Sequence, residues 1–309
     1  MALLTGSCAP PAAPAASMEV AARRQAWAFG AIPGEQLATA HYRIYTTSSN
    51  RGLLAYLPGF MEAAHANYLD LTGLPDAPAG GAPMNLYVLG SRDQWAIMTR
   101  RVTAPRSDVY LAIQHGGYCY RGVCVLWDMG HVATFSIAAH EGLHQFNHHR
   151  LRDRLPAWAE EGLAVLAEGF QVDGGTVRFD PADNTLRRAA LRKMLADGRW
   201  IPLAKLLASD AGDHVTDTRG YGPEYYGHLW ALMLFIRSEA PTREGLERLL
   251  ADAGAGRLRN RLKVPAAMGA GRQYNRAVSV PVFKHYIAAD LPDFGRRFKA
   301  YARKLAKLD

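Results

Sequence analysis

The segment His140-Glu141-Gly142-Leu143-His144 sets two imidazoles four residues apart, with a carboxylate beside the first. On a helix, residues four apart share one face, so both rings can reach a single metal ion. Glu141 is turned by about 100° and can contact a water on that ion. The chemistry such a group suits is hydrolysis, in which the metal polarises a carbonyl and acidifies water while the glutamate takes the water's proton. Two histidines do not complete a site, so a third ligand is needed.

The run Pro156-Ala157-Trp158-Ala159-Glu160-Glu161-Gly162-Leu163-Ala164 reads as the start of a second helix, with proline in the first turn and acidic residues close behind. Glu161 is the candidate ligand, and Glu160, one position away, stays open as the alternative. Glu168 lies two turns beyond Glu161 on the same face, where it either supports a ligand histidine or faces solvent. His148 and His149 follow closely and suit a helix end, where imidazoles complement the dipole; assistance in metal uptake is the other role open to them. Two imidazoles and one carboxylate with an open fourth position favour zinc in a catalytic setting.

These positions resemble the peptidase-MA-like gluzincins, a branch of the HExxH zinc metallopeptidase superfamily in which a Trp-x-x-Glu-Gly helix follows the H-E-x-x-H helix. His140, Glu141, His144, Trp158, Glu161 and Gly162 take the pattern's positions. The metzincin pattern is not met, because Asn147 and Arg150 stand where it requires glycine and histidine. The 16 residues between His144 and Glu161 make a gap slightly shorter than in thermolysin-like or aminopeptidase members. The likeness is to uncharacterised bacterial secreted members, and it covers roughly residues 38 to 309.

The resemblance implies an α+β fold, in which a small N-terminal α/β layer leads into a mostly helical zincin-like catalytic domain. It implies Zn2+ held by His140, His144 and Glu161, with Glu141 assisting attack of a zinc-bound water on a peptide bond. It also implies an oxyanion donor from a downstream Tyr or His. Tyr226 is preferred over Tyr225 and His228, because it falls in the first turn of a late helix. A peptide or protein is the expected substrate. Hydrolysis of another amide, such as cell-wall material, and noncatalytic binding on the same fold are the alternatives; the intact Glu141 argues against the last.

Elements of suitable length lie around these residues. His41 to Thr47 and Met84 to Leu89 alternate as strands, flanking a helical Leu53 to Leu71 that contains Pro58. Arg92 to Val102 reads as a helix. Tyr118 to Val125 reads as a hairpin turning at Arg121-Gly122, which sets Cys119 opposite Cys124 within disulfide reach. In zincins this is where an extended substrate aligns by strand addition. Helices are expected over Thr134–Leu151, Ala157–Phe170, Asn184–Ala196, Tyr225–Ser238, Arg243–Ala253 and Pro292–Leu308. The expected division is a tether over 1–37, an α/β subdomain over 38–112 and a helical catalytic domain over 113–309.

Composition bounds the rest. The chain has 309 residues, 49% of them hydrophobic, enough to bury a core. Its longest apolar run beyond the N-terminus, Leu229 to Ile236, is too short to cross a bilayer. The net charge of +8 comes from residues 257–309, with 13 Lys or Arg against 3 Asp or Glu. In its last helix these alternate with Phe294, Phe298, Tyr301 and Leu305 at amphipathic spacing, so a solvated face is expected and no nucleic-acid partner. Leu3 to Pro10 resembles a bacterial lipoprotein signal ending at Cys8. Export to the cell envelope or beyond, with lipid attachment at Cys8, is therefore expected, and an oxidising compartment would favour the Cys119–Cys124 disulfide.

Overall fold

The computed structural model describes residues 14–77, 81–210, 212–213, 222–265, 268 and 271–308. Its first strand, β1 (Ala16–Ser17), belongs to a small sheet completed much later in the chain. The main sheet begins with an antiparallel meander of β2 (Arg23–Phe29), β3 (Ile32–Ala38) and β4 (Tyr42–Thr46). Helix α1 (Arg51–Thr72) then crosses to β5 (Met84–Leu89), which lies parallel to β4. Helices α2 (Arg92–Thr103) and α3 (Ser107–Leu111) lead into the hairpin of β6 (Tyr118–Tyr120) and β7 (Val123–Trp127). The spatial order β2-β3-β4-β5-β7-β6 leaves β6 on an edge.

Alternation along these strands feeds two cores. Leu37, Ile44, Leu86, Val88, Cys124 and Leu126 face α1 and the helices beyond, whereas Phe29, Leu89, Val125 and Trp127 pack with Trp95 and Met98 of α2. The hairpin turns at Arg121 and Gly122, with φ of 51° and 76°, the pair of left-handed residues that a two-residue turn favours. Cys119 and Cys124 are direct partners in its register, and both are free thiols.

The remaining chain is mainly helical: α4 (His131–Arg150), α5 (Ala157–Ala167), α6 (Thr185–Ala196), α7 (Leu203–Ala208), α8 (Gly222–Ser238), α9 (Ala240–Gly254), α10 (Leu258–Arg261), α11 (Arg272–Tyr286) and α12 (Leu291–Leu305). Between α5 and α6, β8 (Phe170–Asp173) and β9 (Thr176–Phe179) form a hairpin that pairs with β1. With 56% helix around a six-stranded sheet, the fold is mixed α/β. Among the described residues no helix is long and apolar enough to cross a membrane. In α12, Phe294, Phe298 and Ala302 are buried while Arg296, Lys299 and Arg303 face solvent.

Two expected boundaries need correction. Residues 16–37 are not a tether, because they supply β1, β2 and nearly all of β3, joined to the two sheets by backbone pairing. The division at 112/113 falls between β5 and β7, which pair with each other, and one hydrophobic core runs from the sheet through α12. Cys8, the expected lipid-attachment residue, lies outside the described residues.

Candidate metal centre

Helix α4 carries His140, Glu141 and His144, and three contacts fix its position. The Tyr68 hydroxyl of α1 donates to the Ala139 carbonyl at 2.8 Å, and the Gln145 amide donates to the carbonyls of Asn85 and Gly122 at 2.7 Å each. Tyr68 can come this close because residue 142 is glycine; a Cβ there would overlap the phenol. Helix α5 is anchored at its start by α11. The Asn275 side chain accepts the Ala157 amide at 2.8 Å, and the buried Trp158 donates its indole N–H to the Ser279 carbonyl at 3.3 Å. That explains the tryptophan of the Trp-x-x-Glu-Gly run: it locks the helix that presents Glu161.

The two helices bring three ligand-type atoms together. Nε2 of His140 and Nε2 of His144 are 3.3 Å apart, and Glu161 Oε2 lies 3.5 Å from the first and 3.7 Å from the second. Ligands of a tetrahedral ion with bonds of about 2.0–2.1 Å lie roughly 3.3–3.4 Å from one another, so this triangle fits zinc. Glu161 Oε2 is buried and has no hydrogen-bond partner, as expected of an atom that serves a cation.

Behind the triangle, each ring is held at its other nitrogen. Nδ1 of His140 contacts Glu168 Oε1 at 2.7 Å, and Nδ1 of His144 contacts Glu160 Oε1 at 3.0 Å. Carboxylates at Nδ1 leave each Nε2 lone pair turned inward, the orientation that ligand histidines need. Of the two adjacent glutamates, Glu161 therefore joins the triangle, while Glu160 orients His144 and also accepts from Asn147 at 3.2 Å. Glu168 is an orienting residue and not a solvated one; Arg187 grips it with bonds of 2.7 and 2.8 Å, and Asn184 adds another at 3.2 Å.

Electrostatics favour a cation here. Glu141, Glu160, Glu161 and Glu168 face two imidazoles, with the Arg187 guanidinium paired to Glu168. Burial disfavours the His140 imidazolium, but Glu161 and Glu168 overcome it and raise the pKa to about 9. The same contest raises His144, with Glu161 and Glu160 prevailing over burial. For Glu161 the balance of burial against the two histidines falls the other way, and the carboxylate is held well below its ordinary range. Burial pushes the Glu141 carboxyl up, opposed by the histidines and the Cys119 backbone amide.

The three oxyanion candidates separate. The Tyr226 ring meets His140 edge to face at 5.8 Å, with the Arg187 guanidinium 5.1 Å over its own face. Burial, then Glu161, keeps its phenol protonated, the form that donates. Tyr225 packs against Tyr226 at 5.4 Å and is fully buried. His228 lies instead against Trp200 and Phe298, with neither ring nitrogen hydrogen-bonded and its pKa lowered by burial to about 3. His148 and His149 are exposed in the last turn of α4.

Arg187 escapes sequence reasoning. Its grip on Glu168 depends on α6 crossing α8 at Gly227, where a Cβ would stand 2.8 Å from the Arg187 carbonyl oxygen. The local signal, Asn184 accepting the Arg187 amide at 3.0 Å, marks a helix start and nothing more. Replacing an orienting partner of a ligand histidine typically weakens metal binding by about 10–100-fold. Glu168→Gln is expected to do so in a competition titration against a chromophoric chelator, and unchanged zinc affinity would remove Glu168 from the site. Comparison of the chain with protein-family models, with curated proteins and with solved structures returns no match.

Proposed function

We propose that this chain is a zinc-dependent metallopeptidase of gluzincin type on a zincin-like fold. The observation that carries the proposal is the triangle of His140 and His144 of α4 with Glu161 of α5, with edges of 3.3–3.7 Å, and Glu141 next to His140 on α4. His140, His144 and Glu161 would hold the ion. When bound, zinc supplies Lewis acidity, polarising a carbonyl and acidifying water.

The chain's own groups supply the rest. Glu141 accepts the proton of the attacking water and returns it to the leaving amine; its burial raises its basicity for that task. The Tyr226 hydroxyl, kept protonated, donates to the developing oxyanion. Glu168 and Glu160 hold the two rings in place, and Arg187 holds Glu168. Strand β6 lies on the edge of the sheet, with its Cys119 amide against the Glu141 carboxylate, and an extended peptide can add there as a further strand. Export, with lipid attachment through Cys8, belongs to the same proposal and rests on the sequence alone.

Digestion of a mixed peptide library by the zinc-loaded chain, read by mass spectrometry, tests the proposal. Cleavage is expected, lost with chelator and regained with zinc. A zinc-loaded protein that leaves the whole library intact would overturn it.

A further inference from the structure

A second group of ligand-type side chains lies at the far end of α4, in a cleft of about 640 Å³ lined among others by His41, His65, Asp76, Met84, His149 and Arg150. His41 immediately precedes β4, His65 lies in the middle of α1, and Asp76 sits in the loop after α1. Their ligand atoms all fall within 4.8 Å of one another. Asp76 Oδ2 is 3.3 Å from His41 Nε2, and Asp76 Oδ1 is 3.5 Å from His65 Nε2. His65 is 2% exposed, and its Nε2 makes no hydrogen bond although the residue lines the cleft.

We propose that His41, His65 and Asp76 bind a second divalent transition-metal ion, of the zinc class. Three features beyond proximity support the site. The Glu62 carboxylate holds His41 Nδ1 at 2.6 Å and accepts the His41 backbone amide at 2.9 Å, which turns the Nε2 lone pair towards Asp76. Arg150 donates to Asp76 Oδ1 at 3.1 Å, the kind of bond that ligating carboxylates carry, and leaves Oδ2 beside His41. The buried, unpartnered Nε2 of His65 is the third. Imidazole and carboxylate donors together suit zinc better than calcium or magnesium.

The His41 and His65 rings stack at 3.8 Å without an ion, so their lone pairs run side by side. Binding requires the His41 ring to tilt, and its side chain, 30% exposed at the cleft mouth, has room to do so. Bound there, the ion ties the start of β4, the middle of α1 and the following loop to one point. Its effect is to stabilise the α/β layer by mass action.

The test uses the full chain carrying His140→Ala and His144→Ala, which removes the first site. One equivalent of Zn2+ is expected to bind this variant, with Glu62→Gln weakening it about 10–100-fold and Asp76→Asn or His65→Ala abolishing it. Asp76 lies near the surface, so its substitution, checked by circular dichroism, leaves the fold intact even where His65→Ala does not. No zinc in the double variant would overturn the site, and zinc held equally after Asp76→Asn would overturn it by showing an adventitious ion only. A double variant that binds one zinc while the unmodified chain also binds only one would refute the first centre and sustain this one.

Discussion

Glu141→Gln is expected to keep zinc and the fold yet lose peptide hydrolysis by about 100- to 10,000-fold, the range a positioned general base contributes. The amide matches the carboxylate in size but cannot accept a proton from water. Glu141 forms no edge of the ligand triangle, so its replacement leaves His140, His144 and Glu161 in place. Zinc content and peptide turnover measured on the same preparation decide the outcome. Turnover equal to that of the unmodified chain would take Glu141 out of the mechanism and leave the hydrolytic proposal without its base.

The second large effect separates two adjacent glutamates. Glu161→Ala is expected to cost one zinc equivalent and all measurable hydrolysis, because it removes one of three protein ligands and leaves two imidazoles facing an open position. Glu160→Ala removes only the group behind His144, so zinc is expected to remain, bound about 10–100-fold more weakly. Metal analysis after dialysis against a weak chelator reads the difference. Zinc retained in Glu161→Ala and lost in Glu160→Ala would exchange the two roles.

What the sequence made legible was local. His140 and His144 reveal themselves because helix geometry alone puts residues four apart on one face, and Asn184 marks the start of α6 through a cap three residues long. The alternation of Met84 to Leu89 likewise reads directly as a strand, because one face of β5, Met84, Leu86 and Val88, is buried in the main core. Elements with weak or contrary local signals were hidden. In β2 the first four residues, Arg23 to Ala26, are all exposed, so no alternation announces the strand. Helix α11 contains Val278, Val280, Pro281 and Val282, which read against a helix, yet Tyr274, Val278, Val282 and Phe283 are buried in the shared core. The β8–β9 hairpin did carry a signal, the Gly174-Gly175 turn between two short runs.

Within the site the same division holds. Glu168 could be placed on the face of Glu161, but whether it met a histidine or water depended on where α4 and α5 cross. Arg187 meets Glu168 only because α6 and α8 approach at Gly227, a tertiary fact with no local trace. His41, His65 and Asp76 are separated by 23 and 10 intervening residues and form no compact motif; the packing of α1 on the sheet brings them together.

Everything proposed for catalysis depends on three atoms converging on one ion. Anomalous diffraction at the zinc edge, from a crystal of the unmodified chain grown with Zn2+, tests that convergence without reference to any substrate. The expected result is a peak about 2.0–2.2 Å from Nε2 of His140, Nε2 of His144 and a carboxylate oxygen of Glu161. A zinc-saturated crystal with no peak between these residues, or with the ion seated on Glu160, would contradict it.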